Sequence, residues 1–127
     1  MPNNWRSKFG GPAWKWHAPS EQYYLHLFAP EQADLNWDNP AVRAELKKVC
    51  EFWADRGVDG LRLDVVNLIA KEQTFPDDPH GDGRSFYTDG LRAHDYLREM
   101  SRDVFQPRNL MTVGEMSSTT LESCRQY

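Results

Sequence analysis

Two carboxylic acids, Asp64 and Glu115, each stand at the end of a short apolar run, residues 60–66 and 110–115. In the first run Leu61 and Leu63 alternate with Arg62 and Asp64, which predicts a strand with apolar side chains on one face and opposite charges on the other. Burying a charge is costly unless the charge is paired. A functional site and a structural ion pair are therefore about equally supported by these residues alone.

The spacing of the two acids permits glycosidic chemistry if their strands are neighbours. Adjacent parallel strands lie about 4.8 Å apart, so the carboxyls are expected roughly 5–5.5 Å apart, as in a retaining glycosidase. We expect Arg62 to keep Asp64 ionised as the nucleophile. Glu115 has no neighbouring cation in sequence, so burial is expected to keep it protonated as the acid/base, and Gly114 to leave room for a sugar ring. The alternative is two unrelated strand-end acids.

The elements around these acids predict an α/β fold. Asn39 and Pro40 mark a helix start, Gly57 marks its end, and its apolar face comprises Val42, Leu46, Val49, Cys50 and Trp53. A second helix is predicted over about 91–105, between the two strands. Strand, helix and strand then form a right-handed parallel unit with both carboxylates at the edge where α/β folds bind ligands.

The remaining segments carry weaker signals. Residues 1–20 predict an irregular loop, 23–28 a strand, and 71–90 a long loop that is either functional or disordered. Thr119 to Glu122 match a capping box that opens one more helix. Tryptophan is concentrated in the first half of the chain, which hints at sugar stacking but is equally typical of a core.

Composition excludes several classes of partner. The chain has 127 residues, a net charge of −4 and a pI near 5.5, which argues against nucleic acid and anionic membranes. No apolar run approaches the roughly 18 residues of a membrane span, and the N-terminus lacks a signal-peptide core. Cys50 and Cys124 form no Cys-x-x-Cys motif, which fits a reducing cytoplasm.

Metal and cofactor sites are not predicted. Asp77, Asp78 and Asp82 invite a calcium site, but their spacing misses the calcium-loop pattern and favours a turn. No zinc-ligand spacing joins the four histidines, His17, His26, His80 and His94. Neither strand leads into Gly-x-Gly-x-x-Gly, which disfavours a dinucleotide-binding unit.

Three motifs resemble a known family. The nucleophile motif of the α-amylase family, glycoside hydrolase family 13, resembles Asp59-Gly60-Leu61-Arg62-Leu63-Asp64. Its acid/base motif resembles Thr112-Val113-Gly114-Glu115, and the short motif near the end of its B domain resembles Gln32-Ala33-Asp34-Leu35-Asn36. The three motifs follow one another in the same order as in the family, and together they extend over nearly the whole chain.

The resemblance implies a fragment of a (β/α)8 TIM barrel, from about helix 3 to strand 5. Residues 1–38 then form the C-terminal part of the inserted B domain, and 39–127 belong to the catalytic barrel. It implies Asp64 as nucleophile, Glu115 as acid/base, and Arg62 and Asn67 as substrate-binding residues. The alternative role of Asn67 is a cap at the strand end. The family's first motif and its His-Asp motif are absent, so we expect a central piece of a longer enzyme that is inactive alone.

Residues 32–37, 81–90 and 116–119 resemble the trehalose-6-phosphate hydrolases of this family more than the similar oligo-1,6-glucosidases, which usually carry Pro at the position of Ala33. This resemblance implies hydrolysis of trehalose 6-phosphate to glucose and glucose 6-phosphate, with retention of configuration and no cofactor. The alternative substrate is an isomaltose-type sugar. A phosphate would need cations, for which the loops offer Arg6, Lys8, Lys15, Lys71 and Arg84. A non-catalytic remnant that keeps the sugar-binding surface is the remaining alternative.

Overall fold

The computed structural model describes residues 1–79 and 81–127, so His80 and its part in the zinc argument lie outside the described residues. The chain divides into two compact units: residues 1–35 with 72–87, and residues 36–71 with 88–127. The strands are β1 Trp14–His17, β2 Gln22–Leu25, β3 Gly60–Leu63 and β4 Met111–Gly114. The helices are α1 Pro40–Ala54, α2 Arg84–Tyr87, α3 Ala93–Met100 and α4 Leu121–Cys124.

The first unit is built around Trp5, which is almost fully buried. Its ring lies 5.7–6.4 Å, centroid to centroid, from those of Trp14, Phe75, Phe86 and Tyr87. Its indole N–H donates to the Pro76 carbonyl at 2.9 Å, which satisfies the one polar atom of the side chain. We call these five residues the Trp5 cluster. Of the two roles predicted for tryptophan, Trp5 has the core role.

A hairpin of β1 and β2 completes the first unit. The two strands pair antiparallel, with Trp14 opposite Leu25. The strand predicted over 23–28 is therefore confirmed in part, whereas the prediction that 1–20 is irregular is wrong for 14–17. The alternation Trp-Lys-Trp-His does have a period of two. Its signal is hidden by the Gly and Pro residues that precede it.

The predicted long loop over 71–90 contains helix α2, Arg84–Tyr87, and residues 72–87 belong to the first unit. Asp78 is buried and accepts the Gly83 N–H at 2.8 Å and the Ser85 hydroxyl at 3.1 Å, so it forms a turn, as expected. Gly83 has a φ of +80°, and a Cβ there would lie 2.3 Å from Cγ of Trp5. Only glycine satisfies both restrictions.

Helix α1 of the second unit begins where the sequence predicts. The Asn39 side chain accepts the Ala41 N–H at 2.9 Å, Pro40 occupies the first turn, and Gly57 follows the helix with a φ of +88°. The predicted buried face is only half-covered, because Val49 and Trp53 each keep about half of their surface exposed.

The strand–helix–strand prediction is confirmed. β3 and β4 pair in parallel, and α3 with a following π-helical turn, Ser101–Phe105, connects them. Met100, Val104 and Phe105 form the core beneath the sheet, with Leu61 and Leu63 packed against it. The alternating face of β3 is thereby accounted for, since Arg62 and Asp64 project away from this core.

Two boundaries differ from the predictions. β3 ends at Leu63 rather than at residue 66, because Val65 adopts the left-handed conformation with a φ of 38° and Val66–Leu68 then form a 3-10 turn. Because β-branched valines favour strands, the sequence predicts a continued strand here and not a turn. The N-cap of α4 is Thr120, which accepts the Ser123 N–H at 3.1 Å, and not Thr119 of the predicted capping box.

None of the helices among the described residues is both long and apolar enough to cross a membrane; the longest, α1, has 15 residues.

Candidate active site

The register of β3 and β4 places the two acids at the same edge of the sheet. Leu63 lies opposite Gly114, and the Glu115 N–H donates to the Leu63 carbonyl at 2.9 Å. Asp64 and Glu115 therefore follow directly on paired residues. The predicted equivalence of the two strand ends is confirmed, although the two acids are separated by about 50 positions in sequence.

Arg62 bridges the two carboxylates. Its Nη1 donates to Asp64 Oδ1 at 2.5 Å, and its Nη2 contacts Glu115 Oε2. A guanidinium presents its donors in a planar fork and is well suited to hold two carboxylates at once. All three side chains reach solvent: the exposed fractions are 59% for Arg62, 68% for Asp64 and 48% for Glu115. The group is thus open to a ligand from the side opposite the core.

The surroundings of Glu115 differ from the prediction. We expected burial, since no cation neighbours Glu115 in sequence, yet the carboxylate is half-exposed and contacts Arg62. The cation comes from the neighbouring strand, 53 residues earlier in the chain. The parallel pairing of β3 with β4 places Arg62 beside Glu115. The residues that neighbour Glu115 in sequence do not indicate this contact.

Asn67, for which the resemblance implies a sugar contact, is bonded to the segment that follows β4. Its side chain is fully buried, its Nδ2 donates to the Ser117 carbonyl at 2.8 Å, and its Oδ1 accepts the Ser117 N–H at 3.0 Å. Its own carbonyl accepts the Asp89 N–H at 2.8 Å. Both ends of the amide are therefore bonded to one backbone segment, which is closer to the strand-end role that was the alternative.

Gly114 lies close to Val66. A Cβ at this position would lie 3.0 Å from Cγ2 of Val66. The missing side chain therefore allows the two strand ends to approach each other, and the predicted room for a sugar ring stays a prediction. Ser117 and Val65, which shape this edge, were missed by the sequence analysis because hydroxyl and valine side chains at loop positions carry no catalytic signal.

The predicted phosphate-binding cations fall in different units. In the first unit Lys8 Nζ lies 5.5 Å from the centre of the Tyr87 ring, and burial, together with the nearby charge of Arg84, lowers the pKa of Lys8. In the second unit Lys71 donates to the Leu68 carbonyl. Arg6 and Lys15 are exposed in the first unit.

The family model of the α-amylase catalytic domain matches residues 1–127, the whole chain.

The chain belongs to the α-amylase family.

Curated relatives and solved structures of the family are similar throughout. Trehalose-6-phosphate hydrolase of Escherichia coli is 82% identical over 126 residues, which are 99% of this chain and 23% of that enzyme. An oligo-1,6-glucosidase of Parageobacillus thermoglucosidasius is 46% identical over 125 residues, 94% of this chain and 22% of that enzyme. The crystal structure of trehalose-6-phosphate hydrolase from Bacillus licheniformis superposes with a TM-score of 0.95 at 60% identity, covering 99% of this chain and 23% of that one.

The chain therefore spans about a quarter of the length of the curated relatives that it matches. Its strand–helix–strand unit comes from the (β/α)8 barrel fold of this family.

Proposed function

We propose that this chain supplies the nucleophile and the acid/base of a retaining hydrolase that cleaves trehalose 6-phosphate to glucose and glucose 6-phosphate. The observation that carries the proposal is the Arg62 bridge between Asp64 and Glu115 at one sheet edge. The substrate is supported by the higher identity to a trehalose-6-phosphate hydrolase, 82%, than to an oligo-1,6-glucosidase, 46%. Within the barrel, residues 39–127 would run from helix 3 to strand 5, and 1–38 would end the B domain.

The proposed roles follow from the chemistry of retaining hydrolysis. Asp64 attacks the anomeric carbon while Glu115 protonates the departing glycosidic oxygen, which leaves a covalent glycosyl–Asp64 ester. Glu115 then removes a proton from water, and the resulting attack on the anomeric carbon frees Asp64 with retention of configuration. Arg62 holds both carboxylates in place through its two contacts with them. No metal or other cofactor takes part in these steps.

The setting proposed for this reaction is the cytoplasm, with a small sugar phosphate as the only partner. Cys50 and Cys124 are both free thiols in the structure, which fits a reducing compartment. The acidic balance of the chain, with a net charge of −4, disfavours a nucleic-acid or anionic-membrane partner.

A graft tests the proposal directly. The 127 residues replace the matching 23% of the Escherichia coli trehalose-6-phosphate hydrolase, and release of glucose 6-phosphate from trehalose 6-phosphate is measured. We expect turnover by the graft and none by the 127-residue chain alone. Asp64→Asn should abolish it, by about 10⁶-fold if the loss of a nucleophile is as severe as in other covalent enzymes. Asp55→Asn, a second exposed aspartate paired with an arginine, is the matched control and should leave the rate unchanged.

Three results would contradict the proposal in different ways. If the Asp64→Asn graft still turned over trehalose 6-phosphate, Asp64 would not be the nucleophile. A graft that hydrolyses isomaltose faster than trehalose 6-phosphate would favour the oligo-1,6-glucosidase alternative. A graft that folds but cleaves neither sugar would favour a non-catalytic remnant.

A further inference from the structure

Backbone pairing continues past the ends of β3 and β4. The Glu115 N–H donates to the Leu63 carbonyl at 2.9 Å, and the Val66 N–H donates to the Glu115 carbonyl at 3.0 Å. The backbone N–H and the carbonyl of Glu115 are therefore both hydrogen-bonded to the segment that contains β3 and the residues after it. The pairing ends at Val66, because Val65 adopts the left-handed conformation and Val66–Leu68 form a 3-10 turn instead of a strand.

Asn67 takes over the pairing at this point. Its amide has the same donor and acceptor as a peptide group, and it uses both on one residue: Nδ2 to the Ser117 carbonyl at 2.8 Å and Oδ1 from the Ser117 N–H at 3.0 Å. In this way one side chain substitutes for the missing strand residue. It is one of the few large side chains in the described part of the chain that are fully buried, and it is the one among them with a carboxamide.

The backbone of Asn67 is held as well, because the Asp89 N–H donates to its carbonyl at 2.8 Å. Its neighbour Val66 lies close to Gly114, where an added Cβ would come within 3.0 Å of Val66 Cγ2. Buried polar groups of this kind hold their partners rigidly, because an unpaired amide without water is costly. A displacement of Ser117 would leave both ends of the Asn67 amide unpaired.

We propose that Asn67 is a positioning residue that holds the 115–118 segment in register, so that the Glu115 carboxylate stays against Arg62 and within reach of the substrate of Asp64. This inference rests on the proposed function. It assigns Asn67 a role in proton transfer without any contact with the sugar. A misplacement of about 1 Å in a reacting group can cost roughly 10²-fold in rate.

The test compares two substrates in the graft. Asn67→Ala should lower kcat on trehalose 6-phosphate by about 10²-fold, because the departing sugar oxygen needs the proton of Glu115. It should lower cleavage of 4-nitrophenyl α-glucoside much less, because nitrophenolate departs without a proton. Sodium azide should accelerate the variant on this second substrate but not the parent, since azide attacks the glycosyl–Asp64 ester without a base, forming a C–N bond as the C–O bond to Asp64 breaks.

Two further variants keep the test decisive. Asn67→Asp has the same shape and retains an acceptor for the Ser117 N–H, so it should show a smaller shift in the same direction, even if Asn67→Ala does not fold. Asn39→Ala removes another asparagine bond to a backbone N–H, at the start of α1. It should lower the thermal midpoint while leaving the ratio of the two substrates unchanged. Equal losses on both substrates in the Asn67 variants would overturn the proposal.

Hydrogen exchange separates this proposal from the proposed function. Asn67→Ala should speed amide exchange in the peptide covering 115–118, and Asn39→Ala should not. If the parent graft is inactive, the proposed function fails, and faster exchange in this peptide still supports the holding role of Asn67. Unchanged exchange overturns the positioning role whether or not the graft is active.

Discussion

The first unit buries Trp5 among four other aromatic rings, whereas the edge that follows β3 and β4 leaves Arg62, Asp64 and Glu115 open to solvent. In this cluster the Trp5 indole N–H is hydrogen-bonded, and Gly83, which has no side chain, lies against the Trp5 ring. The carboxylate edge gains little stability from its ion pairs, because exposed pairs contribute only about 0–1 kcal/mol. One region therefore serves folding, and the other, we propose, serves chemistry.

The largest expected effect on stability is at the Trp5 cluster. Trp5→Ala should lower the free energy of unfolding by about 3–5 kcal/mol, because it removes a buried ring and leaves a cavity. Urea unfolding of the graft, followed by circular dichroism, measures the change. Trp16→Ala is the matched control: Trp16 is 49% exposed and contacts Tyr23 across the hairpin, so its loss should cost less than about 1 kcal/mol.

The carboxylate edge should respond in the opposite way. Arg62→Met should lower kcat of the graft by about 10²-fold, because both carboxylates lose the group that fixes their positions. The free energy of unfolding should fall by less than in Trp5→Ala, because Arg62 is an ion-pairing side chain outside the packed core. Arg108→Met removes another exposed arginine, paired with Asp55, and should change neither quantity. A large loss of stability with unchanged kcat in Arg62→Met would contradict the proposal that the carboxylate edge serves chemistry and not folding.

A small, pH-dependent effect on stability is expected where Lys47 of α1 pairs with Glu99 of α3 and with Asp103 of the π-helical turn. Hydrogen bonds from Arg102 and Lys47 lower the pKa of Asp103 to about 2, and the hydrogen bond from Lys47 lowers that of Glu99. Hydrogen bonds to Asp103 and Glu99 raise the pKa of Lys47. Carboxyls with lowered pKa values stabilise the fold above their unfolded values, near 4, and this contribution is lost as the pH falls towards 2.

Lys47→Met should therefore lower the thermal midpoint of the graft modestly between about pH 5 and 9, and the difference from the parent should shrink at pH 3. Calorimetry at a series of pH values measures it. Lys48→Met is the control, because Lys48 pairs only with exposed Glu45 within the same helix, among the bonds that the structure gives for it. A difference for Lys47→Met that is constant from pH 3 to 9 would contradict the role of the network.

Much of the fold was predictable because its signals are local. The Asn39 cap and Pro40 fix the start of α1, and the alternation of Leu61 and Leu63 with charges fixes β3. β1 and the turn at Val65 were missed because neighbouring residues gave contrary signals: glycines and prolines before the first, β-branched valines at the second. Propensity is overridden there by pairing and packing that involve distant segments.

The candidate site was predictable as a pair of acids but not as an arrangement. Strand period and parallel topology are legible in the order of residues, and they place Asp64 and Glu115 at one edge. That Arg62 contacts both acids, that Glu115 is half-exposed and that Asn67 is bonded to Ser117 became visible only in the folded chain. These contacts join residues about 50 positions apart, so strand register and burial decide which side chains meet, and no local pattern reveals them.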